Sequence, residues 1–332
     1  MLPASPSISA LSRRRLLAGL ASLPLAGCLG LESRRDASVT FGLRREPLLH
    51  VITTRTIAEG GRRSPFLSAS RAGKLTYARA HLTPPDPTVM GRLGSIVSGE
   101  LRVRALEPEG GDAADTFAEA LRGRDSLLFV HGYNQTFEAA AGDAVALSDG
   151  IGFSGNTALF SWASKGGLLD YGYDRESALI ARDPLADALT SVLNDQFGAR
   201  LHLVAHSMGT LVTLEALRAY RDRNGEKGLD RLASLTLAAP DIDMDVFKAN
   251  LSRLGTLREK MTVITATNDR ALDLSRRLAG GDRVGALPAA AFAGLGVRVV
   301  DATEFASGLI RHDAFVANAD VRAVIKRAIE RS

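Results

Sequence analysis

The sequence predicts an α/β chain, a mostly parallel central sheet with helices on both faces. Three observations predict it. Six short apolar runs, Ser126–Val130, Thr157–Ser161, Leu201–Ala205, Ser234–Ala238, Met261–Ala266 and Val297–Val300, are rich in Val, Leu, Ile and Phe, and most lack a polar face. Such runs suit strands buried on both sides. Helical patterns separate them, and strand–helix alternation winds into a parallel sheet covered on both faces. The 332 residues are 45% hydrophobic and 23% charged, an ordinary globular composition.

The chain opens on an address. Ser12-Arg13-Arg14-Arg15-Leu16-Leu17 precedes an apolar stretch that ends Leu25-Ala26-Gly27-Cys28. A basic stretch, an apolar stretch and small residues make a secretory signal. The apolar part, Leu16 to Gly27, contains Pro24 and is too short to span a bilayer. The arginine pattern resembles a twin-arginine export signal. Leu-Ala-Gly-Cys resembles a bacterial lipobox, which implies acylation of Cys28, the only cysteine. A lone cysteine leaves no intramolecular disulfide, so the core alone must hold the fold. The expectation is an export signal over 1–27, a tether over 28–47 and one domain over 48–332. The mature chain would sit on the periplasmic side, lipid-anchored. Leu29, rather than an aspartate, follows Cys28, which by lipoprotein sorting habit favours the outer membrane.

The remaining elements follow in order. Leu48–Thr54 predicts a first strand and Lys74–Leu82 a second. Residues 83–100, with Pro84, Pro85 and Pro87, predict a loop. Helices are predicted over Thr136–Ser148, Asp174–Asn194, Met208–Arg223, Asp243–Arg253 and Ala314–Ile329. Pro184 should kink or divide the second of these. No internal repeat is found.

Charge excludes one class of partner. The pI is near 9.4 with 41 basic against 37 acidic residues, but Arg13, Arg14 and Arg15 lie in the signal. The rest is nearly balanced, and nothing asks for nucleic acid. No His-Glu-x-x-His or comparable cluster appears, so no metal and no cofactor is expected.

The chemistry gathers at strand ends. Leu203-Val204-Ala205-His206-Ser207-Met208-Gly209-Thr210 passes from strand directly into helix. It resembles the G-x-S-x-G nucleophile elbow of α/β-hydrolases. There the serine stands on a sharp turn, with small residues two positions either side because strand and helix approach closely. Gly209 meets this, and Ala205 replaces the usual glycine. The helix N-terminus behind Ser207 favours negative charge. The competing role for Ser207 is a plain helix cap.

Upstream, Phe129-Val130-His131-Gly132-Tyr133-Asn134 resembles the oxyanion loop of the same fold. Two backbone N–H groups there would hold the negative oxygen of an acyl-transfer transition state. They are assigned to Tyr133 and Met208, with His131, Gly132, Asn134 and Gly209 supporting the loop. His131 is expected to act structurally. The base is assigned to His312, which follows the last strand, because the fold's chain order is Ser, acid, His. The acid should end a strand between them. Asp269, after Met261–Ala266, is the first choice, and Asp241 and Asp243 are alternatives whose plain role is helix capping.

Together these segments resemble a bacterial family of α/β-hydrolases of unknown function, described only as esterase- or lipase-like. The resemblance spans about residues 48–331. It also rests on Phe160-Ser161-Trp162-Ala163-Ser164 with Tyr171 and Asp174, on Ala239-Pro240-Asp241-Ile242-Asp243, and on Asn268-Asp269-Arg270-Ala271-Leu272. Ala163 stands where a proline is expected. The resemblance implies the fold and the triad Ser207, Asp269 and His312, but no substrate.

The segment from Ala239 to Met261 has room for about one helix, so no large cap domain is expected. An open site would take small or membrane-presented acyl substrates. Trp162–Tyr173 would form one wall. The expected activity is cleavage of ester or thioester bonds. An acyltransferase with the same triad shares the acyl-enzyme and differs only in acceptor. A non-catalytic binding lipoprotein would keep the fold but gain nothing from a strained serine.

Overall fold

The computed structural model describes residues 47–59, 64–83, 101–110, 112–167, 169–194, 199–304 and 318–332. The signal, Cys28, the tether up to residue 46, the predicted loop from residue 84, and His312 lie outside the described residues. Those that are described belong to one compact unit, Ala37–Ser332.

Among the described residues, nine strands make one sheet. They are β1 (Leu48–Ile57), β2 (Leu67–Thr83), β3 (Arg102–Pro108), β4 (Ser126–Val130), β5 (Asn156–Ser161), β6 (Leu201–His206), β7 (Leu232–Ala238), β8 (Met261–Thr265) and β9 (Arg298–Asp301). Among the described residues the α-helices are α1 (Ala113–Ala120), α2 (Phe137–Gly150), α3 (Tyr171–Ile180), α4 (Arg182–Asn194), α5 (Gly209–Asn224), α6 (Met244–Leu254), α7 (Arg270–Ala279) and α8 (Ala319–Glu330). Strand order is β3-β2-β1-β5-β4-β6-β7-β8-β9. The β1–β2 and β2–β3 pairs are antiparallel, and every other pair is parallel.

Period-two alternation sends the core to both faces. Leu127 and Phe129 of β4 pack with Leu159, Val204 and Ile264 against α2 and α8. Leu128 and Val130 pack with Phe160, Leu203 and Leu237 against α3, α4, α5 and α6. Strands β4, β6, β7 and β8 are buried throughout. That explains why their sequences are apolar runs and not alternations.

All six predicted strands are present, though β9 is an edge strand, partly exposed, rather than one buried on both faces, and β2 is longer than predicted. The predicted helix over 174–194 divides at Ala181 into α3 and α4. Pro184 falls in the first turn of α4, where its missing N–H costs nothing. Between β7 and β8 lie α6 and a 3-10 turn, Gly255–Lys260, so no large cap stands there. Among the described strands and α-helices, three went unpredicted. β3 is short and half polar, α1 is eight residues, and α7 carries the sequence RALDLSRRLA, which buries only Leu272 and Ser275.

Candidate active site

Among the described residues other than glycine, three have positive φ, Asn134 at 57°, Ser207 at 52° and Ala239 at 45°. They follow β4, β6 and β7, so the strained backbone collects at the carboxyl edge of the sheet. Asparagine tolerates this conformation, whereas serine and alanine hold it only when surroundings enforce it. The enforcement at Ser207 is visible. Its N–H donates to the Ala238 carbonyl at 2.9 Å. Its carbonyl accepts from the N–H of Thr210 at 3.0 Å and of Asp241 at 3.2 Å, and from Thr210 Oγ1 at 2.6 Å. The turn is therefore tied to β7 on one side and to the first turn of α5 on the other.

Two glycines let the loops meet. A Cβ on Gly209 would lie 2.4 Å from the His131 carbonyl oxygen and 2.6 Å from that of Val130. A Cβ on Gly132 would lie 2.8 Å from Ser207 Cβ. The turn His131–Gly132–Tyr133 is thus pressed directly against the serine. Position 205, buried on β6, accepts the methyl of Ala205. Among the described residues, the N–H groups of Tyr133 and Met208 have no hydrogen-bond acceptor. Met208 is buried and Tyr133 half-buried, and a negative oxygen placed there would satisfy both donors.

His131 is fully buried. Its Nδ1 lies 2.9 Å from the Gly132 carbonyl, so Nδ1 carries the proton. Burial and the nearby Arg55 push the ring pKa down to about 3. The ring is therefore neutral.

Behind the turn lies a polar cluster that the sequence did not single out by role. Asp174, fully buried on α3, accepts from the N–H of Asn134 at 3.2 Å and of Lys165 at 2.8 Å, and from Ser164 Oγ at 2.5 Å. Arg55 of β1, 2% exposed, donates to the carbonyls of Ser164 at 2.8 Å and Gln135 at 2.7 Å, and to Ser161 Oγ at 2.9 Å. Burial lowers the Arg55 pKa to about 10, against the pull of Asp174 and Glu138, so it stays charged. Burial also raises the Asp174 pKa, opposed by its hydrogen bonds. The segment Trp162–Tyr173 is more support than wall. Trp162 is fully buried, whereas Leu169 is fully exposed.

The three acid candidates differ in what their carboxylates touch. Asp243 Oδ1 caps α6 through the N–H groups of Asp245 and Val246. Asp241 meets Ser275 Oγ, Tyr171 OH at 3.3 Å and Arg283 Nε at 3.5 Å. Asp269 ends the loop after β8, and its Oδ1 receives both cap bonds of α7, from Ala271 and Leu272. Among the other histidines, His50 packs edge-on to Phe117. His81 lies 3.6 Å from Glu107, and His202 Nδ1 lies 2.9 Å from Ser234 Oγ. His206 is buried beside Ser207. Among the described residues no group of three or more His, Cys, Asp or Glu could hold a metal.

A family model described as an alpha/beta hydrolase of unknown function, DUF900, matches residues 112–328. The chain belongs to this family. Its fold is the α/β-hydrolase fold, as the motifs implied. No curated protein matches the chain. Several solved structures are similar to it. An acetylxylan esterase structure at 0.90 Å resolution is 11% identical, with TM-score 0.39, covering 63% of this chain and 97% of its own. A predicted CIB-like hydrolase from Thermoplasma acidophilum is 14% identical, with TM-score 0.37, covering 77% and 93%. A Trichoderma reesei cutinase with a phosphonate inhibitor is 13% identical, with TM-score 0.33, covering 65% and 88%.

Proposed function

We propose that this family member is a serine hydrolase that cleaves carboxylic ester or thioester bonds through an acyl-enzyme on Ser207. One observation carries the reading. Ser207 stands at positive φ between β6 and α5, beside two amides, Tyr133 and Met208, that lack acceptors among the described residues. A serine that merely capped a helix would need neither the strain nor the paired donors.

In this reading Ser207 Oγ attacks the carbonyl carbon while His312 takes its proton. The negative oxygen rests on the two amides. The bond to the leaving group breaks, and His312 returns the proton to the departing alcohol or thiol. Water then attacks the acyl-enzyme by the same route, and the acid leaves. Asp269 fixes the His312 tautomer. That assignment is supported by its place at the end of β8, and by both cap bonds falling on one carboxylate oxygen. Asp241 and Asp243 are the weaker choices, since Asp241 is engaged by Arg283, Ser275 and Tyr171, and Asp243 caps α6. The substrate is a small or membrane-presented acyl compound. The chain works on the periplasmic side, held at the outer membrane by acylated Cys28.

A fluorophosphonate probe tests the chemistry without a known substrate. It should label residues 29–332, and labelling should be lost in Ser207→Ala and His312→Ala. A folded parent that resists the probe overturns the reading. Anchoring is tested separately, since Cys28→Ser should release the full-length chain from membranes into the soluble fraction.

A further inference from the structure

The amide of Tyr133 belongs to a peptide that is held on both sides. Upstream, the Gly132 carbonyl shares its plane with the Tyr133 N–H. That carbonyl accepts from His131 Nδ1 at 2.9 Å. Downstream, the next peptide joins the Tyr133 carbonyl to the Asn134 N–H, which donates to Asp174 at 3.2 Å. Asn134 itself sits at φ 57°, a conformation that an untethered loop abandons readily. The following N–H, of Gln135, donates to Ser164 Oγ at 3.0 Å. Ser164 Oγ in turn donates to Asp174 at 2.5 Å. One buried carboxylate therefore secures two successive peptides, one directly and one through a serine.

The other end of the clamp is cationic. Arg55 holds the Gln135 carbonyl at 2.7 Å and, on the loop after β5, the Ser164 carbonyl at 2.8 Å, so the N–H of Asn134 and the C=O of Gln135 are gripped by opposite charges. Asp174 lies on α3 and Arg55 on β1, two elements of the rigid scaffold. The loop thus gains its orientation from outside itself. Asp174 receives three donors and gives none, which an ionised carboxylate does fully and a neutral amide cannot.

We propose that Asp174, acting through Ser164, is the positioning residue that sets the direction of the Tyr133 oxyanion donor. The inference rests on the hydrolase reading above. Asp174 touches no substrate. It raises the rate by holding a dipole where charge will develop, which costs no reorganisation during reaction.

The test measures turnover per active site of the soluble form, with p-nitrophenyl butyrate, counting sites by fluorophosphonate titration. In Asp174→Asn one oxygen becomes an NH₂ that must face either the Lys165 N–H or the Asn134 N–H and Ser164 hydroxyl, so the cluster loses an acceptor in either orientation and the clamp on the Asn134 and Gln135 peptides loosens. The expected kcat falls by about 10- to 100-fold, short of outright loss of one donor, while KM changes less than about threefold. Affinity for a boronic acid inhibitor, which presents a tetrahedral oxyanion, should fall by the same factor as kcat. Ser164→Ala keeps the charge and serves if Asp174→Asn does not fold, with an expected loss of about fivefold in kcat. A purely structural role would lower the melting temperature and the number of titratable sites, leaving kcat per site and boronate affinity at parent values. That result overturns the proposal. A parent that neither labels nor turns over overturns the hydrolase reading instead.

Discussion

His131 lies flat on Trp162, ring centroids 5.0 Å apart and planes 10° apart, and Trp162 Nε1 donates to the His131 carbonyl at 2.8 Å. The stack fixes a neutral ring whose Nδ1 proton serves the Gly132 carbonyl. It also makes the fold sensitive to acid. The folded ring has a pKa near 3, well below the unfolded value near 6.5. Between these values the unfolded chain binds a proton that the folded chain refuses. Stability from this residue is therefore complete above pH 6.5 and is lost as pH falls toward 3. Burial lowers His50 and His202 in the same direction. Urea unfolding from pH 7.5 to 4.5 should show a falling midpoint. His131→Asn keeps a donor but no titration, and its dependence should be shallower by up to about 1.4 kcal/mol per pH unit. Equal slopes for parent and variant would remove His131 from the account.

Gly132 and Gly209 predict opposite phenotypes. A methyl on Gly209 meets two carbonyl oxygens of β4 and its loop, at 2.4 and 2.6 Å. Backbone cannot move aside cheaply there, so Gly209→Ala should lose about 2–3 kcal/mol of stability. A methyl on Gly132 meets Ser207 Cβ at 2.8 Å. The loop can retreat by a fraction of an ångström, which misplaces the Tyr133 donor. Gly132→Ala should stay folded and lose about 100-fold in kcat. Thermal melts beside esterase turnover separate the two. A destabilised but fully active Gly132→Ala would contradict the placement of the oxyanion turn.

The sequence discloses those parts of this architecture that local physics controls. Buried strands such as Leu127–Val130 must be apolar on both faces, and an elbow must place small residues around Ser207, so both can be read in a single pass. Helix α7 is short and buries only Leu272 and Ser275, leaving Leu274 and Leu278 exposed. The role of Asp174 was invisible in the sequence. Its partners Asn134 and Arg55 lie 40 and more than 100 residues away in sequence, and only the folded sheet brings them together. The resemblance to a family marked Ser164 and Asp174 as recurring but gave no contact. His312, the base assigned from chain order, lies outside the described residues.

Strain at Ser207 predicts a trade between stability and activity. A serine at φ 52° costs of order 1–3 kcal/mol relative to an unstrained backbone. Glycine adopts that conformation freely, though the unfolded chain gains entropy. Ser207→Gly should abolish fluorophosphonate labelling and raise stability by about 1 kcal/mol, whereas Ser207→Ala should abolish labelling with little gain. Chemical denaturation of the three proteins decides it. A Ser207→Gly variant less stable than Ser207→Ala would mean that the elbow stores no strain.

The proposed acid can be tested by what each carboxylate holds. Asp241 lies beside Arg283, and the side chains of both are 4% exposed. Asp241→Asn leaves that guanidinium without its charge partner, at a cost of about 2–4 kcal/mol, with catalysis per folded molecule little changed. Asp243→Asn should be nearly silent, since asparagine caps helices as well as aspartate does. Asp269→Asn also keeps its cap on α7, so its stability should stay within about 0.5 kcal/mol of the parent. It loses the charge that supports the imidazolium, and kcat should fall about 10³- to 10⁴-fold. The pattern to look for is a stable, inactive Asp269 variant beside an unstable, active Asp241 variant. The reverse pattern moves the acid to the end of β7 and makes Asp269 a helix cap.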